Sequence, residues 1–134
     1  MPSETTQDAD FDPEEIPDEF WDIIHQADGN RDTLRDIMMQ ASQEEILPFV
    51  QNFTEAATEL KYDPFLQHVA PGTSEDGMDD IADWVVSQGK EAYTQVWRHP
   101  ETIPKHIDVG EPTNLHFVAE SVYYKRFGEM PDPD

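Results

Sequence analysis

The sequence predicts an all-α domain, a compact bundle of about six short helices that follows a disordered acidic N-terminal arm. Three observations carry that expectation. Apolar residues recur at helical spacing in several separate windows, and helix-capping residues, glycines and prolines fall between those windows. No period-2 apolar alternation of useful length is present, and no internal repeat is visible.

The arm is placed at residues 1–15, the helical domain at 16–128 and a frayed tail at 129–134. From Met1 to Asp22 there are nine acidic residues and no base. Up to Glu15 there is too little apolar surface to offset the entropy of ordering the chain. Order is expected from Ile16, where Pro17 followed by Asp18 and Glu19 suits the positive end of a helix. Phe20, Trp21, Ile24 and Ala27 form that helix's inner stripe, and Asp28-Gly29-Asn30 ends it with turn chemistry. A second helix, from about Asp32 to Ala41, places Leu34, Ile37, Met38 and Ala41 on one side. Ser42-Gln43-Glu44-Glu45 reads as a capping box. The helix it opens carries Ile46, Phe49, Val50, Phe53, Ala57 and Leu60 along one face, with Pro48 just past the first turn. A short helix from Pro64 to about Val69 follows.

The stretch Ser74 to Tyr93 is the expected central post. Met78, Ile81, Ala82 and Val85 fall at i, i+3, i+4 and i+7, and Trp84 widens the face. Asp79, Asp80 and Asp83 lie on its rim or opposite side. Asp76 reads as a helix cap, with Asp79 and Asp80 favoured by the helix dipole. The helix breaks at Gly89 and restarts from Lys90 to Arg98. After an irregular link from His99 to Glu111, bounded by prolines, the last helix is expected from Thr113 or Asn114. It carries Leu115, Val118, Ala119 and Val122, has Lys125 and Arg126 in its final turn, and ends at Gly128.

Charge narrows the function classes. The net charge is −22, from 30 acidic residues against 8 Lys and Arg. That excludes direct binding to nucleic acid or to an anionic membrane through a basic patch. The absence of cysteine removes disulfides, thiolate nucleophiles and Cys-ligated zinc. No apolar run approaches the roughly 20 residues of a membrane span. The N-terminus carries no apolar signal segment, which points to the cytoplasm.

Several short motifs resemble a known family. They are Glu19-Phe20-Trp21, Ser74-x-Asp76-Gly77, Trp84-Val85-Val86-Ser87-Gln88-Gly89-Lys90-Glu91-x-Tyr93, and Phe117-Val118-Ala119-Glu120 through Arg126-Phe127-Gly128-Glu129. Their order and spacing resemble the domain of unknown function 4240 family over about Phe20 to Pro131. Met78 departs from that pattern, where an aromatic would be expected after Asp-Gly. The resemblance implies a small helical domain of bacterial type and brings no catalytic residues with it.

The residues themselves expose no catalytic constellation. His25, His68, His99, His106 and His116 share no metal-ligand spacing. Ser74, Ser87 and Ser121 lack a nucleophile-elbow context, and Gly72 and Gly77 make no phosphate cradle. No catalytic residue, metal ligand or cofactor is therefore assigned. The expected function is a non-catalytic interaction or regulatory domain that binds a protein partner, a basic one, through a negatively charged surface. The candidate contact residues are Asp79, Asp80, Asp83, Trp84, Lys90, Tyr93 and Trp97. Two alternatives stand beside it. One is a nucleic-acid mimic that inhibits a DNA- or RNA-binding protein. The other is a small metal-dependent hydrolase or ligand-binding domain using the Asp76–Asp83 cluster. Acidity as adaptation to high salt competes with all three. Oligomeric state is left open by the sequence.

Because the arm has no apolar stripe, deleting residues 1–15 is expected to leave the helical circular dichroism signal intact and the melting temperature unchanged or slightly higher. Loss of the helical signal would place the arm in the core.

Overall fold

The computed structural model describes residues 12–108 and 110–131. Most of the expected disordered arm, residues 1–11, and the end of the expected frayed tail, 132–134, lie outside the described residues. Asp12 to Glu15 depart from the expectation. Asp12 accepts the Glu14 amide at 2.9 Å and caps a single 3-10 turn, Pro13–Glu15, and Ile16 behind it is buried. At the other end Pro131 is buried, so the packed chain continues past Gly128.

Six α-helices and three 3-10 turns follow one another, with no strand among the described residues. α1, Asp18–Ala27, buries Phe20, Trp21, Ile24 and Ala27 and stops at Asp28 and Gly29, both at positive φ. The Asn30 side chain accepts the amides of Asp32 and Thr33 and starts α2, Arg31–Gln40. The capping box opens α3, Gln43–Glu59: Ser42 Oγ accepts the Glu45 amide at 3.1 Å and the Glu45 carboxylate accepts the Ser42 amide at 2.8 Å. That amide bond, with the serine hydroxyl beside it, holds the Glu45 carboxyl below its ordinary range. α3 continues through Pro48, whose missing amide falls near the helix start.

The expected helix from Pro64 to Val69 is a single 3-10 turn, Leu66–His68. Phe65 just before it is buried edge-on against Trp97, with ring centroids 5.1 Å apart. α4, Glu75–Ser87, is capped by Ser74 Oγ, which accepts the Gly77 amide at 3.0 Å. Asp76 therefore does not cap the helix but sits in its first turn. A serine at the boundary reaches the third amide, and Asp76 is already inside the helix. Gly89, at φ 108°, lets the chain restart at once as α5, Lys90–Arg98, and a Cβ there would meet the His25 ring at 3.0 Å.

α6, Val118–Phe127, begins later than its apolar spacing implies. Phe117 sits at φ 67°, which breaks the helix, and the preceding residues spend their polar groups on tertiary bonds instead of helical ones. Gly128 closes α6 at φ 77° and donates its amide to Tyr124.

One core joins these elements. Phe20 meets Phe49 at 5.0 Å and Trp21 meets Tyr93 at 5.5 Å. Tyr93 is 0 % exposed and donates its hydroxyl to the Ala56 carbonyl at 2.8 Å. α2 packs on α6, and the clamp between them is ionic in character: Arg126 Nη1 donates to the carbonyls of Met38 and Ala41 at the end of α2. The Met38 carbonyl also accepts the Ala41 amide, and the guanidinium adds a charge-assisted bond there and at the Ala41 carbonyl beyond it.

Ile81 is 1 % exposed. Ile81→Ala is expected to cost about 2–5 kcal/mol in denaturant unfolding. Asp79→Asn, although it breaks the ion pair to Lys61, is expected to cost below about 1 kcal/mol because the pair is half exposed. The opposite ranking would mean that the inner and outer faces of α4 are assigned the wrong way round.

Candidate functional site: an acidic groove between α3, α4 and α6

The spacing that buries one face of α4 also builds a second stripe. Asp76, Asp79, Asp80 and Asp83 fall at i, i+3, i+4 and i+7, which aligns them along one side of the helix. All four line a groove of about 460 Å³. Its floor comes from α3, with Phe49, Val50, Phe53 and Ala57, and its far wall from the turn before α6, with Leu115, His116 and Phe117, and from Glu120 in the first turn of α6. Phe117 is 64 % exposed and stacks on the His116 ring at 4.2 Å.

The far wall is held by α4 itself. Ser87 Oγ donates to the Asp83 carbonyl at 2.7 Å and accepts the Leu115 amide at 2.8 Å. Asn114 Nδ2 donates to the Asp80 carbonyl, and Asn114 Oδ1 accepts the His116 amide at 3.1 Å. Trp84 Nε1 donates to Thr113 Oγ1, which donates onward to Glu111. That last bond, with the Thr113 amide, holds the Glu111 carboxyl below its ordinary range. From α2, Arg31 donates to the carbonyls of Glu111 and Asn114, each at 2.7 Å. Ser87 and Asn114 are both 3 % exposed and both fully engaged, as buried polar groups must be.

A lysine and a histidine sit among the carboxylates. Lys61 Nζ lies 2.7 Å from Asp79, and His116 Nδ1 lies 3.0 Å from Asp83. Glu120 lies half-buried on α6. Burial pushes its carboxyl above the ordinary glutamate value, the Asp83 charge adds to the rise, and His116 offsets part of it.

Of the residues singled out from sequence, Asp79, Asp80 and Asp83 come together in the groove. The others do not join them. Trp84 is half-buried and braces the 111–117 segment, and Tyr93 is fully buried. Lys90 lies 3.6 Å from Asp18 on α1, and Trp97 packs beside Phe65. Burial also pushes the Tyr93 hydroxyl well above its ordinary value, so it stays protonated. Lys61, His116, Phe117 and Glu120 were not singled out. The acidic stripe on α4 was the available signal for one wall, but His116 meets Asp83 across 33 residues of chain, and no local spacing reports that. Among the described residues no group of three or more His, Asp or Glu is placed to hold a metal ion. No helix of the described residues is long and apolar enough to cross a membrane.

The raised Glu120 value has a direct consequence for stability. The folded state binds the Glu120 proton more tightly than the unfolded state does. This contribution is present below the ordinary glutamate value and is lost as pH rises through the raised one. Glu120→Gln is therefore expected to raise the melting temperature at pH 7 and to flatten its decline above the ordinary glutamate range. A lower melting temperature at pH 7 would show that the charged form is the favoured one.

Neither the search of curated proteins nor that of solved structures found a match to this chain. The model of one family, described as protein of unknown function (DUF4240), matches residues 16–126, which take in α1 to α5, all but the last residue of α6, and both walls of the groove. The chain belongs to the DUF4240 family.

Proposed function

We propose that this protein is a non-catalytic interaction domain whose groove receives a basic, amphipathic segment of a protein partner. The observation behind this reading is the facing of unlike walls. Phe49, Val50 and Phe53 supply an apolar floor, and Asp76, Asp79, Asp80, Asp83 and Glu120 supply carboxylates against only Lys61 and His116. An occupant with apolar side chains on one face and Lys or Arg on the other satisfies both surfaces, as in helix-in-groove recognition. Phe117, exposed at the mouth, offers a ring face to a cation. The net charge of −22 favours fast, steered encounter with such a partner. A cytoplasmic setting and a regulatory role belong to the same proposal.

The test uses a leucine–arginine helical peptide, labelled at its N-terminus with an uncharged boron-dipyrromethene dye and amidated at its C-terminus, so that it carries no carboxylate, free amine or histidine. Raising salt from about 0.05 to 0.5 M shrinks the screening length from roughly 14 Å to about 4 Å. The association rate is expected to fall steeply over that range and the dissociation rate to change less. Replacing Asp79, Asp80 and Asp83 together by Asn is expected to weaken binding at low salt. Binding that ignores both salt and the triple substitution would overturn the proposal.

A further inference from the structure

We infer that His116 and Glu120 make the groove's hold on a basic segment depend on pH, with affinity falling on acidification. This rests on the reading of the groove as the site for such a segment. The argument begins with position. The His116 ring is fixed on three sides: Nδ1 is bonded to Asp83, its face is stacked on Phe117, and its backbone amide is tied to Asn114. It lines the groove and cannot leave without breaking those contacts.

The charged groups facing it come from every wall. α4 brings Asp76, Asp79, Asp80 and Asp83, α6 brings Glu120, and α3 faces the groove with uncharged side chains until Lys61 just beyond its end. His116 is thus the one histidine lining a groove dominated by carboxylates. Histidine is the side chain whose charge changes between about pH 5 and 8. In its neutral form Nδ1 donates to Asp83 and the groove keeps its full negative charge. Protonation at Nε2 places a cation beside Asp83, in the same field that a partner's Lys or Arg would use.

Glu120 acts in the same direction. Its carboxyl is held above the ordinary glutamate value by burial and by Asp83, so acidification discharges it earlier than it would an ordinary glutamate. Two protons therefore enter where the partner's cations would bind, and the two kinds of positive charge compete. Linkage is reciprocal: binding the basic segment must expel protons from the groove.

The same leucine–arginine peptide, which does not itself titrate in this range, reads the effect. Its affinity for the wild-type protein is expected to rise on the order of tenfold between about pH 4.5 and 7.5, a span that covers the ordinary glutamate and histidine values, and the size is usual for coupled sites. His116→Gln and Glu120→Gln should each remove part of that slope, and the double variant should be flat. Calorimetry in buffers of different ionisation enthalpy should show proton release on binding to the wild type and little release in the double variant. Circular dichroism confirms that each variant is folded. A pH slope that survives in the folded double variant overturns the regulation and leaves the groove reading standing. Absence of peptide binding at every pH overturns the groove reading and the regulation together.

Discussion

The structure depends on a polar suture between α4 and the segment that precedes α6. Ser87 and Asn114 are buried side chains, and between them they connect two α4 carbonyls to the backbone amide of Leu115 and the side of the turn. Removing one partner from such a network leaves the other buried and unsatisfied, a cost of about 1–3 kcal/mol. That asymmetry makes the suture specific and not merely adhesive. It ties the backbone beside His116 and Phe117 directly to α4, the helix that forms the other wall of the groove. Trp84 and Arg31 reinforce the same segment from two other directions. Three side chains from outside, Ser87, Trp84 and Arg31, thus converge on seven residues that have no regular structure of their own, and Asn114 reaches back from within them.

This explains both what could be read in the sequence and what could not. The helices announced themselves because each carries its own signals: the capping box at Ser42, the glycine after α6 and apolar stripes at 3.6-residue spacing; the cap of α4 was the exception, read at Asp76 and found at Ser74. Those are local properties of the chain. The start of the last helix was misplaced for the same reason. Leu115, Val118, Ala119 and Val122 keep helical spacing, but the polar groups of Thr113 and Asn114 are engaged by distant elements, and Phe117 adopts a positive φ. Tertiary bonding overrides local periodicity there. Of the groove, the α4 wall was legible as a run of aspartates, and the floor appeared only as an ordinary buried stripe on α3. The opposite wall, and the meeting of His116 with Asp83, required the fold.

Charge and packing are separated within this molecule. The carboxylates collect on the outer side of α4 and along the groove, while the aromatic cluster of Phe20, Trp21, Phe49 and Tyr93 stays dry. A chain with so large a net charge repels itself in any compact state. Lys61 pairs with Asp79 at the end of α3, which lowers that repulsion locally, and His116 bonds Asp83 across the groove. An acidic surface of this kind stays compatible with folding because its bonding partners sit among the carboxylates.

The Arg126 clamp on α2 has a consequence for how the chain must assemble. Its acceptors, the Met38 and Ala41 carbonyls, are made more than eighty residues before the arginine that satisfies them. During synthesis, α1 to α3 can form their local turns as they emerge, but the end of α2 stays open to water until α6 arrives. Contacts of such long sequence separation are closed late and slowly. The last helix therefore acts as a latch. A chain interrupted before Arg126 would leave the Ala41 carbonyl without the arginine and the α2 face that packs on α6 open to any chaperone or protease nearby.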